Sequence, residues 1–268
     1  MCENFNLLDN CTLQSFNKWS QIPYPEQTKV YHGIDPTAGS WPLYYFKNQG
    51  NGVFTTLDGS PISWEIMNPS NVNFIEELKE VQYVQAHITE EQIKIAKYWG
   101  NGVPLNQIIP IALQLINTYK ITPPKSARIL SSVGNTLNDA FILTWYFKYL
   151  WDYPRPCQLD RSLNTILATP QFPTYPSGHS VVSSASAVIL SYYFPKEKSK
   201  LYALAQEASI SRLYGGIHFR SDLSQGIRLG KQIGRLVVTE LKKEADKDGV
   251  MVDVPRLDFL DAPIIPKY

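Results

Sequence analysis

The chain has few of the residues that hold metals or disulfide frameworks. Among its 268 residues there are only three cysteines and four histidines. Cys2, Cys11 and Cys157 do not have the spacing of metal ligands, and an odd number leaves at least one without a partner in the chain. The sequence therefore favours neither a disulfide-stapled fold nor a zinc site.

The chain also lacks an excess of one charge and a long apolar run. With 25 basic and 24 acidic residues the net charge is +1, so no long-range field favours nucleic acid or an anionic membrane surface. The longest apolar stretches, residues 141–151 and 181–194, are shorter than the roughly 20 residues that span a bilayer. We therefore expect a soluble protein without a transmembrane segment, in which any anion site is local.

The first residues show no basic region and no hydrophobic run of the signal-peptide type. A cysteine at position 2 also suits the remnant of a trimmed export or lipoprotein precursor. The sequence therefore leaves two compartments open, the cytoplasm and export after processing.

Residues 1–68 differ from the rest of the chain in composition. They are rich in Pro, Gly, Asn and aromatic residues, and Asp58-Gly59 predicts a turn between two extended pieces, residues 53–56 and 62–64. Because so many aromatic side chains need a surface to pack on, free disorder is not expected. We predict an irregular N-terminal arm, residues 1–68, that packs on the following domain.

Helical patterns dominate after Ser70. Thr89 followed by two glutamates predicts a helix start, and Gly100 predicts its end. Further helices are predicted at residues 105–119, with a kink at Pro110, and at residues 123–152, 177–194, 196–214 and 221–246. The expected fold is an all-α helical bundle over residues 69–250, followed by a tail at residues 251–268. Sites in bundles form between facing helices.

Residues 211–222 combine cations, a Gly-Gly turn, a histidine and a carboxylate. Arg212 precedes the glycines, and Asp222 follows His218 by four residues, which suits an imidazole held for bonding to the central atom of an oxyanion. The alternative is a plain helix junction in which Ser221 or Asp222 caps the second helix. This stretch alone favours neither interpretation.

Two other segments contain groups that bind oxyanions. Lys148 lies at a predicted helix end and Arg155 in the loop beyond it, although two solvated surface cations would show the same pattern. Residues 176–179 (Pro-Ser-Gly-His) predict a helix start with free backbone N–H groups, although Ser177 is also an ordinary capping residue. His179 falls in the first turn of that helix.

Together the three segments contain three cations, two neutral donors and two imidazoles. These are Lys148, Arg155, Arg212, Ser177, the Gly178 amide, His179 and His218. Guanidinium groups bind oxyanions through paired hydrogen bonds, whereas lysine acts as a point charge. The set suits a tetrahedral or trigonal-bipyramidal oxyanion with one apical position on a histidine. The other histidines, His32 and His87, are expected to have structural or solvent-exposed roles.

The order of these residues resembles the three-part signature of the superfamily that joins type 2 phosphatidic acid phosphatases, bacterial class A acid phosphatases and vanadium-dependent haloperoxidases. The matching residues are Lys148, Arg155 and Pro156, then residues 176–179, then Ser211, Arg212, His218 and Asp222. The surroundings of Trp145 and residues 216–222 further resemble the soluble bacterial haloperoxidase-like branch. The resemblance covers roughly residues 70–235.

For a haloperoxidase, the resemblance implies a vanadate cofactor whose vanadium is bonded to His218. The remaining cofactor-binding residues it implies are Lys148, Arg155, Ser177, Gly178, His179 and Arg212. It also implies that Asp222 orients His218, that His179 moves protons and that Lys148 polarises bound hydrogen peroxide. Trp145 and Phe172 fall where related enzymes place the aromatic residues of a halide pocket, although helix packing also accounts for both. The expected partners are hydrogen peroxide, a halide and a small organic acceptor.

The same residues also suit a soluble acid phosphatase that needs no vanadate. In that case the resemblance implies a phosphate ester substrate, a phosphohistidine at His218 and protonation of the leaving alcohol by His179. A non-catalytic phosphate or vanadate binder is a third class, which the presence of both histidines disfavours. The surroundings of Trp145 favour the haloperoxidase. Helical bundles of this group often pair, so a homodimer is compatible with the sequence, although no interface is identifiable.

Overall fold

The computed structural model describes residues 18–268, so Cys2, Cys11 and the first part of the predicted arm lie outside the described residues. The described chain is mainly helical, which confirms the predicted all-α fold. Its helices are α1 (Phe74–Ala86), α2 (Glu90–Trp99), α3 (Leu105–Thr118), α4 (Pro123–Trp151), the single turn α5 (Pro156–Leu159), α6 (Gly178–Tyr193), α7 (Lys198–Tyr214) and α8 (Arg220–Leu241). None of these helices combines the length and apolar character needed to cross a bilayer.

Local signals account for most helix ends. Thr89 caps α2 by accepting from the Gln92 amide, while the Gln92 side chain accepts from the Thr89 amide, and the helix ends at Gly100 as predicted. The kink residue Pro110 lies inside α3. Helix α4 begins at Pro123 and ends at the left-handed Asp152, whose φ is 52°. Proline at a helix start lacks only an N–H that would have no partner there.

Two predicted helix limits are wrong. Helix α7 begins at Lys198 because residues 195–197 form a separate 3-10 turn after Pro195. Helix α8 ends at Leu241, five residues before its predicted end, because the Asp246 amide donates to the Val250 carbonyl in a turn. The polar residues after Leu241 favour a helix by propensity, but they have no core to pack on.

The arm contains a short hairpin of β1 (Phe46–Asn48) and β2 (Phe54–Thr56). The predicted turn at Asp58-Gly59 is present, since Thr56 and Ser60 are joined by a backbone hydrogen bond of 3.0 Å across it. Strand β1 was not predicted. Phe46 and Phe54 are buried and both pack edge-on against Trp64.

Hydrogen bonds fix the arm to helix α4. The buried carboxylate of Asp139 accepts from the Tyr44 and Tyr45 amides, each at 2.8 Å. The Ile34 carbonyl accepts from the Trp145 indole at 3.0 Å and from the Tyr149 hydroxyl at 2.9 Å. Residues 33–45 therefore lie over the middle of α4 in a defined position.

Helix α6 lies at the centre of the bundle and packs very closely against α8. Gly226, Gly230 and Gly234 form a stripe on α8, and a Cβ at Gly230 would lie 2.2 Å from the Val181 carbonyl oxygen. Only glycine permits this approach without displacing backbone. The starts of the two helices are also joined by a hydrogen bond. The Ser177 amide, just before α6, donates to the carbonyl of Asp222, in the first turn of α8, at 3.0 Å. The close packing brings the second and third sequence motifs together.

Candidate active site

His218 lies two residues before the start of α8 and is held by Asp222 in the first turn of that helix. Its Nδ1 lies 2.8 Å from Oδ2 of Asp222, which also accepts from the Phe219 amide at 2.8 Å. The Thr174 hydroxyl donates to the same oxygen at 2.5 Å. A carboxylate only accepts, so Nδ1 carries the proton and Nε2 keeps its lone pair.

The cations of the first motif are fully buried beside this histidine. Lys148, in the last turns of α4, donates from Nζ to the carbonyls of Pro173 and Thr174, both at 2.7 Å. Arg155 donates from Nη1 to the Ile217 carbonyl at 2.8 Å, and the same nitrogen lies 2.9 Å from Nε2 of His218. The two cations are thus fixed in position by backbone carbonyls.

Arg212 and His179 meet at the end of helix α2. The Nε2 atom of His179 lies 2.9 Å from the carbonyl oxygen of Trp99 and 2.8 Å from Nη1 of Arg212. Arg212 also donates to the Trp99 carbonyl at 3.2 Å. Trp99 is the last residue of α2, so its carbonyl has no partner within that helix.

The start of α6 forms the accessible side of the site. Ser177 is the N-cap and accepts from the Ser180 amide at 3.4 Å, while Gly178 and His179 begin the helix and are partly exposed. Amides at a helix start have no carbonyl partner in the helix, and the helix dipole is positive there. This edge of the site suits an anion.

Two buried arginines of the site have guanidinium nitrogens without hydrogen-bond partners. Within the described chain they are Nη2 of Arg155 and both Nε and Nη2 of Arg212. Unpaired buried N–H groups are costly, and three buried cations face the single carboxylate of Asp222. The cluster therefore needs an anion to satisfy both its hydrogen bonds and its charge.

The pKa values of the buried site residues reflect the same excess of positive charge. Burial, together with repulsion from Arg155, lowers the pKa of Lys148 and lowers that of Arg212 to about 9. Burial and the neighbouring cations also lower the pKa values of His179 and His218, so both imidazoles are neutral at pH 7. Burial raises the pKa of Asp222 to about 6, against the hydrogen bonds from Thr174 and Phe219.

The aromatic pair Trp145 and Phe172 lies beside the cations. The two ring centroids are 4.8 Å apart, and Lys148 Nζ and Arg155 lie 5.1 Å and 5.0 Å from the centroid of Phe172. These distances fit cation–π contacts. The other side of the pair borders a cavity of about 450 Å³ between the arm and α4.

The structure brings the seven oxyanion-site residues of the three motifs together with Asp222, whereas His87 lies apart, at the exposed end of α1. Sequence reasoning missed Thr174 and the Trp99 carbonyl. A threonine hydroxyl and a backbone carbonyl carry no distinctive sequence signal, so only the fold reveals them. The position of Thr174 beside residues 175–179 was the one available hint.

Comparison with known proteins is consistent with this geometry. Residues 129–244 match the model of the PAP2 superfamily. This part of the chain is therefore similar to the PAP2 superfamily. No curated protein matches the chain.

Solved structures of similar fold include bacterial vanadium-dependent enzymes. The first bacterial vanadium-dependent iodoperoxidase is 28% identical, with a TM-score of 0.63 over 84% of this chain and 62% of that chain. A holo-type bacterial vanadium-dependent chloroperoxidase is 15% identical, with a TM-score of 0.61 over 80% of this chain and 56% of that chain. The apo-type structure of a bacterial vanadium-dependent chloroperoxidase is 14% identical, with a TM-score of 0.66 over 79% of this chain and 56% of that chain. The chain thus spans about three fifths of the length of these proteins.

Proposed function

We propose that the protein is a vanadate-dependent haloperoxidase that uses hydrogen peroxide to oxidise a halide. The main support is the set of unpaired guanidinium nitrogens on Arg155 and Arg212, together with a His218 whose proton lies on Nδ1 and whose Nε2 lone pair faces Arg155. These donors suit an oxyanion whose central atom accepts a lone pair from imidazole. The likeness to the iodoperoxidase, which extends over 84% of this chain, favours vanadate as that oxyanion.

The residues present fit vanadate. His218 would bond to it through Nε2, and Lys148, Arg155, Arg212, Ser177 and the Gly178 amide would hold its oxygens. The ammonium of Lys148 has three donors and uses two on the Pro173 and Thr174 carbonyls, which leaves one for the anion. Bound vanadate supplies the Lewis acidity that activates hydrogen peroxide for the two-electron oxidation of halide.

Asp222 acts as a positioning residue for His218. Its Oδ2 holds the proton on Nδ1 and fixes the ring plane, so the Nε2 lone pair points away from the carboxylate. The Thr174 hydroxyl and the Phe219 amide hold Asp222 in turn. The arrangement raises the basicity of Nε2 without moving it.

His179 is the proposed proton carrier. It is neutral, it is partly exposed at the start of α6, and its Nε2 contacts both Arg212 and the Trp99 carbonyl. A neutral imidazole at the opening of a buried cationic site can take a proton from the entering peroxide and release it toward solvent. Trp145 and Phe172 are the proposed halide contacts, because the nearby cations favour an anion beside their ring edges.

A soluble acid phosphatase is the second candidate. The observation that favours it is the neutral His218, whose Nε2 carries the lone pair that the nucleophile of a phosphohistidine mechanism needs. In that reaction the Nε2–P bond forms as the P–O ester bond breaks, and His179 in its protonated form, which the negative charge of a bound phosphate ester favours, gives its proton to the leaving alcohol and later takes one from the attacking water. Water then cleaves the Nε2–P bond and releases phosphate.

One set of assays separates the two candidates. The purified protein is tested with and without orthovanadate for peroxide-dependent iodide and bromide oxidation, and for hydrolysis of p-nitrophenyl phosphate. We expect halide oxidation only with vanadate, and we expect inorganic phosphate to inhibit it by competing with vanadate for the site. Rapid ester hydrolysis without vanadate, together with no halide oxidation when vanadate is bound, would reverse the order of the candidates.

A further inference from the structure

The cavity beside Trp145 and Phe172 has a larger volume than a halide site requires. Its volume of about 450 Å³ falls within the range of about 300–1,000 Å³ that is typical of sites for small organic molecules. Apolar side chains from three parts of the chain line most of it: Ile34 and Trp41 from the arm, Phe141 and Trp145 from α4, and Val103 and Phe172 from loops.

Three of the lining residues are exposed apolar side chains. Ile34 is 46% exposed, Trp41 is 49% exposed and Val103 is 58% exposed. Single exposed apolar residues are common, but a group around one cavity usually marks a binding surface. The hydrophobic effect favours covering these side chains with an apolar ligand.

The arm holds the cavity open in a fixed shape. The Ile34 amide donates to the Gln171 carbonyl at 3.0 Å, and the Ile34 carbonyl accepts from Trp145 and Tyr149. Asp139 fixes the arm a few residues later through its bonds to two arm amides. A ligand therefore does not have to order this wall when it binds, which lowers the entropic cost of binding.

The cavity shares a wall with the oxyanion site. Phe172 lines the cavity and also contacts the Lys148 and Arg155 cations. Trp145 lines the cavity, and its Cζ3 atom lies 4.0 Å from the position of a Cβ on Gly178, at the accessible start of α6. A molecule in the cavity is thus one aromatic side chain away from the reacting centre.

The charge of the lining narrows the class of ligand. Among the described residues that line the cavity, Asp35 is the only one with a charged side chain. The Asp35 carboxylate at the exposed rim repels an anionic ligand and attracts a cationic one, and the aromatic walls favour a flat ring. The Lys148 and Arg155 cations, which favour a halide, are fully buried on the other side of Phe172. The lining therefore favours a neutral or cationic aromatic molecule over an aromatic acid.

We propose that this cavity binds the organic acceptor of the reaction, and that the acceptor is a neutral or cationic aromatic compound of one or two rings. Trp41 and Asp35, both in the arm, are specificity-determining residues. The inference rests on the proposed function for the identity of the reaction, but binding itself can be measured without turnover.

The test uses three probes with the same ring system: indole, tryptamine and indole-3-acetate. Calorimetry of the full chain without peroxide measures each affinity. We expect indole and tryptamine to bind, and indole-3-acetate to bind at least about tenfold more weakly than tryptamine. Trp41→Ala should weaken indole binding about tenfold, and Asp35→Asn should reduce the preference for tryptamine.

Tyr44→Ala is the matched control, since Tyr44 is an exposed aromatic residue of the arm that does not line the cavity and its backbone bond to Asp139 remains. Its affinity for indole should equal that of the native protein. Val103→Trp provides a second test that does not depend on the arm, because the larger ring at this exposed rim position should fill the cavity and abolish indole binding.

The proposal fails if indole binds equally well to the native protein, Trp41→Ala and Val103→Trp, or does not bind at millimolar concentration. Binding that depends on Trp41 in a protein without haloperoxidase activity would contradict the proposed function and leave this inference supported. Haloperoxidase activity without indole binding would support the proposed function and contradict this inference.

Discussion

The cationic cluster and the aromatic cavity meet at Phe172, yet they are stabilised in different ways. The cluster, formed by Lys148, Arg155, Arg212 and His218, is buried, carries several charges and is held by helix packing and backbone carbonyls. The cavity is apolar and partly exposed, and the irregular arm forms one of its walls. The charged groups are thus fixed by the helices and by the loops next to the helix ends, whereas the shape of the cavity depends partly on the arm.

The match to the PAP2 superfamily covers these two regions unequally. The PAP2 superfamily match covers residues 129–244, which include the whole cluster, but it does not include the arm. Five predictions test whether the cluster and the cavity behave as separate units.

The largest effect is expected from His218→Ala. Loss of the bonding nitrogen should reduce halide oxidation or ester hydrolysis by at least about 10³-fold, since the residue acts at the reacting atom. Steady-state kinetics measures the loss, and circular dichroism checks the fold. His87→Ala is the control, because His87 is exposed and lies outside the site. Full activity of His218→Ala would defeat the site assignment.

Arg212→Met should remove most of the stabilisation by vanadate or phosphate. An anion at 100 times its Kd stabilises a folded protein by about 2.7 kcal/mol, and the variant lacks two of the unpaired donors. Without anion, the variant should be at least as stable as the native protein, because one uncompensated buried charge is gone. Thermal unfolding with and without orthovanadate measures both effects.

Arg220→Met is the control for that variant, since Arg220 forms an exposed ion pair with Glu80 at 2.5 Å. Such a pair contributes about 0–1 kcal/mol. Its unfolding should show the native response to vanadate. An unchanged vanadate response in Arg212→Met would mean that Arg212 does not contact the anion.

Gly230→Ala should separate the helices that carry the cluster. The new methyl group would meet the Val181 carbonyl oxygen at 2.2 Å, and overpacking of this kind costs about 1–3 kcal/mol. Gly134→Ala is the matched control, because a Cβ there meets nothing within 4 Å inside helix α4, and it should stabilise by about 0.5–1 kcal/mol. Denaturant unfolding measures both. Equal stability of the two variants would contradict the close approach of α6 and α8.

Asp139→Asn should loosen the arm and leave the cluster intact. An amide offers one acceptor oxygen where the carboxylate offers two, so one of the Tyr44 and Tyr45 amides loses its partner at a cost of about 1–2 kcal/mol. Indole binding should weaken while phosphate binding stays at the native level. Asp248→Asn, at an exposed turn, is the control. A loss of phosphate affinity equal to the loss of indole affinity would show that cluster and cavity are one unit.

The last expected effect is a pH dependence of stability that arises from Lys148. Its pKa in the folded protein is well below its ordinary value of 10.5, so between the two values the unfolded chain binds more protons than the folded protein. Stability without anion should therefore rise with pH across that window, by at most about 1.4 kcal/mol per pH unit. Lys148→Met should flatten the rise, as measured by urea unfolding from pH 7 to pH 9.5.

A bound anion should also flatten that rise, because it favours the charged ammonium and so restores the pKa of Lys148. Lys247→Met, at an exposed position, should keep the native pH profile. A native pH profile of stability in Lys148→Met would mean that a group other than Lys148 causes the pH dependence.

Much of the helical fold was predictable because local signals define it. Thr89 and Gly100 set the limits of α2, and Pro123 sets the start of α4. The end of α8 was not predictable from propensity, since the residues after Leu241 favour a helix but lack a core to contact. Strand β1 was not predicted either, because a strand of three residues is too short to show an alternating pattern.

The cationic cluster and the aromatic cavity also differ in how far the sequence predicts them. Lys148, Arg155 and His218 belong to motifs whose order resembles a family signature, so the sequence identifies them before any fold is known. Ile34 and Trp41 do not, because they lie in an irregular segment more than a hundred positions before Trp145 and only tertiary packing brings them beside it. Thr174 is equally inconspicuous among the other threonines.

The carbonyl at the end of α2 has a consequence for the tautomer of His179. The Nε2 atom contacts an acceptor, the Trp99 oxygen, and a donor, Arg212, but a single ring nitrogen can satisfy only one of them. With the proton on Nδ1 it accepts from Arg212, and with the proton on Nε2 it donates to Trp99. An anion that engages Arg212 shifts the balance to the second form. The ¹⁵N chemical shifts of this one imidazole therefore report whether the oxyanion site is filled, at a distance from the atom that bonds it.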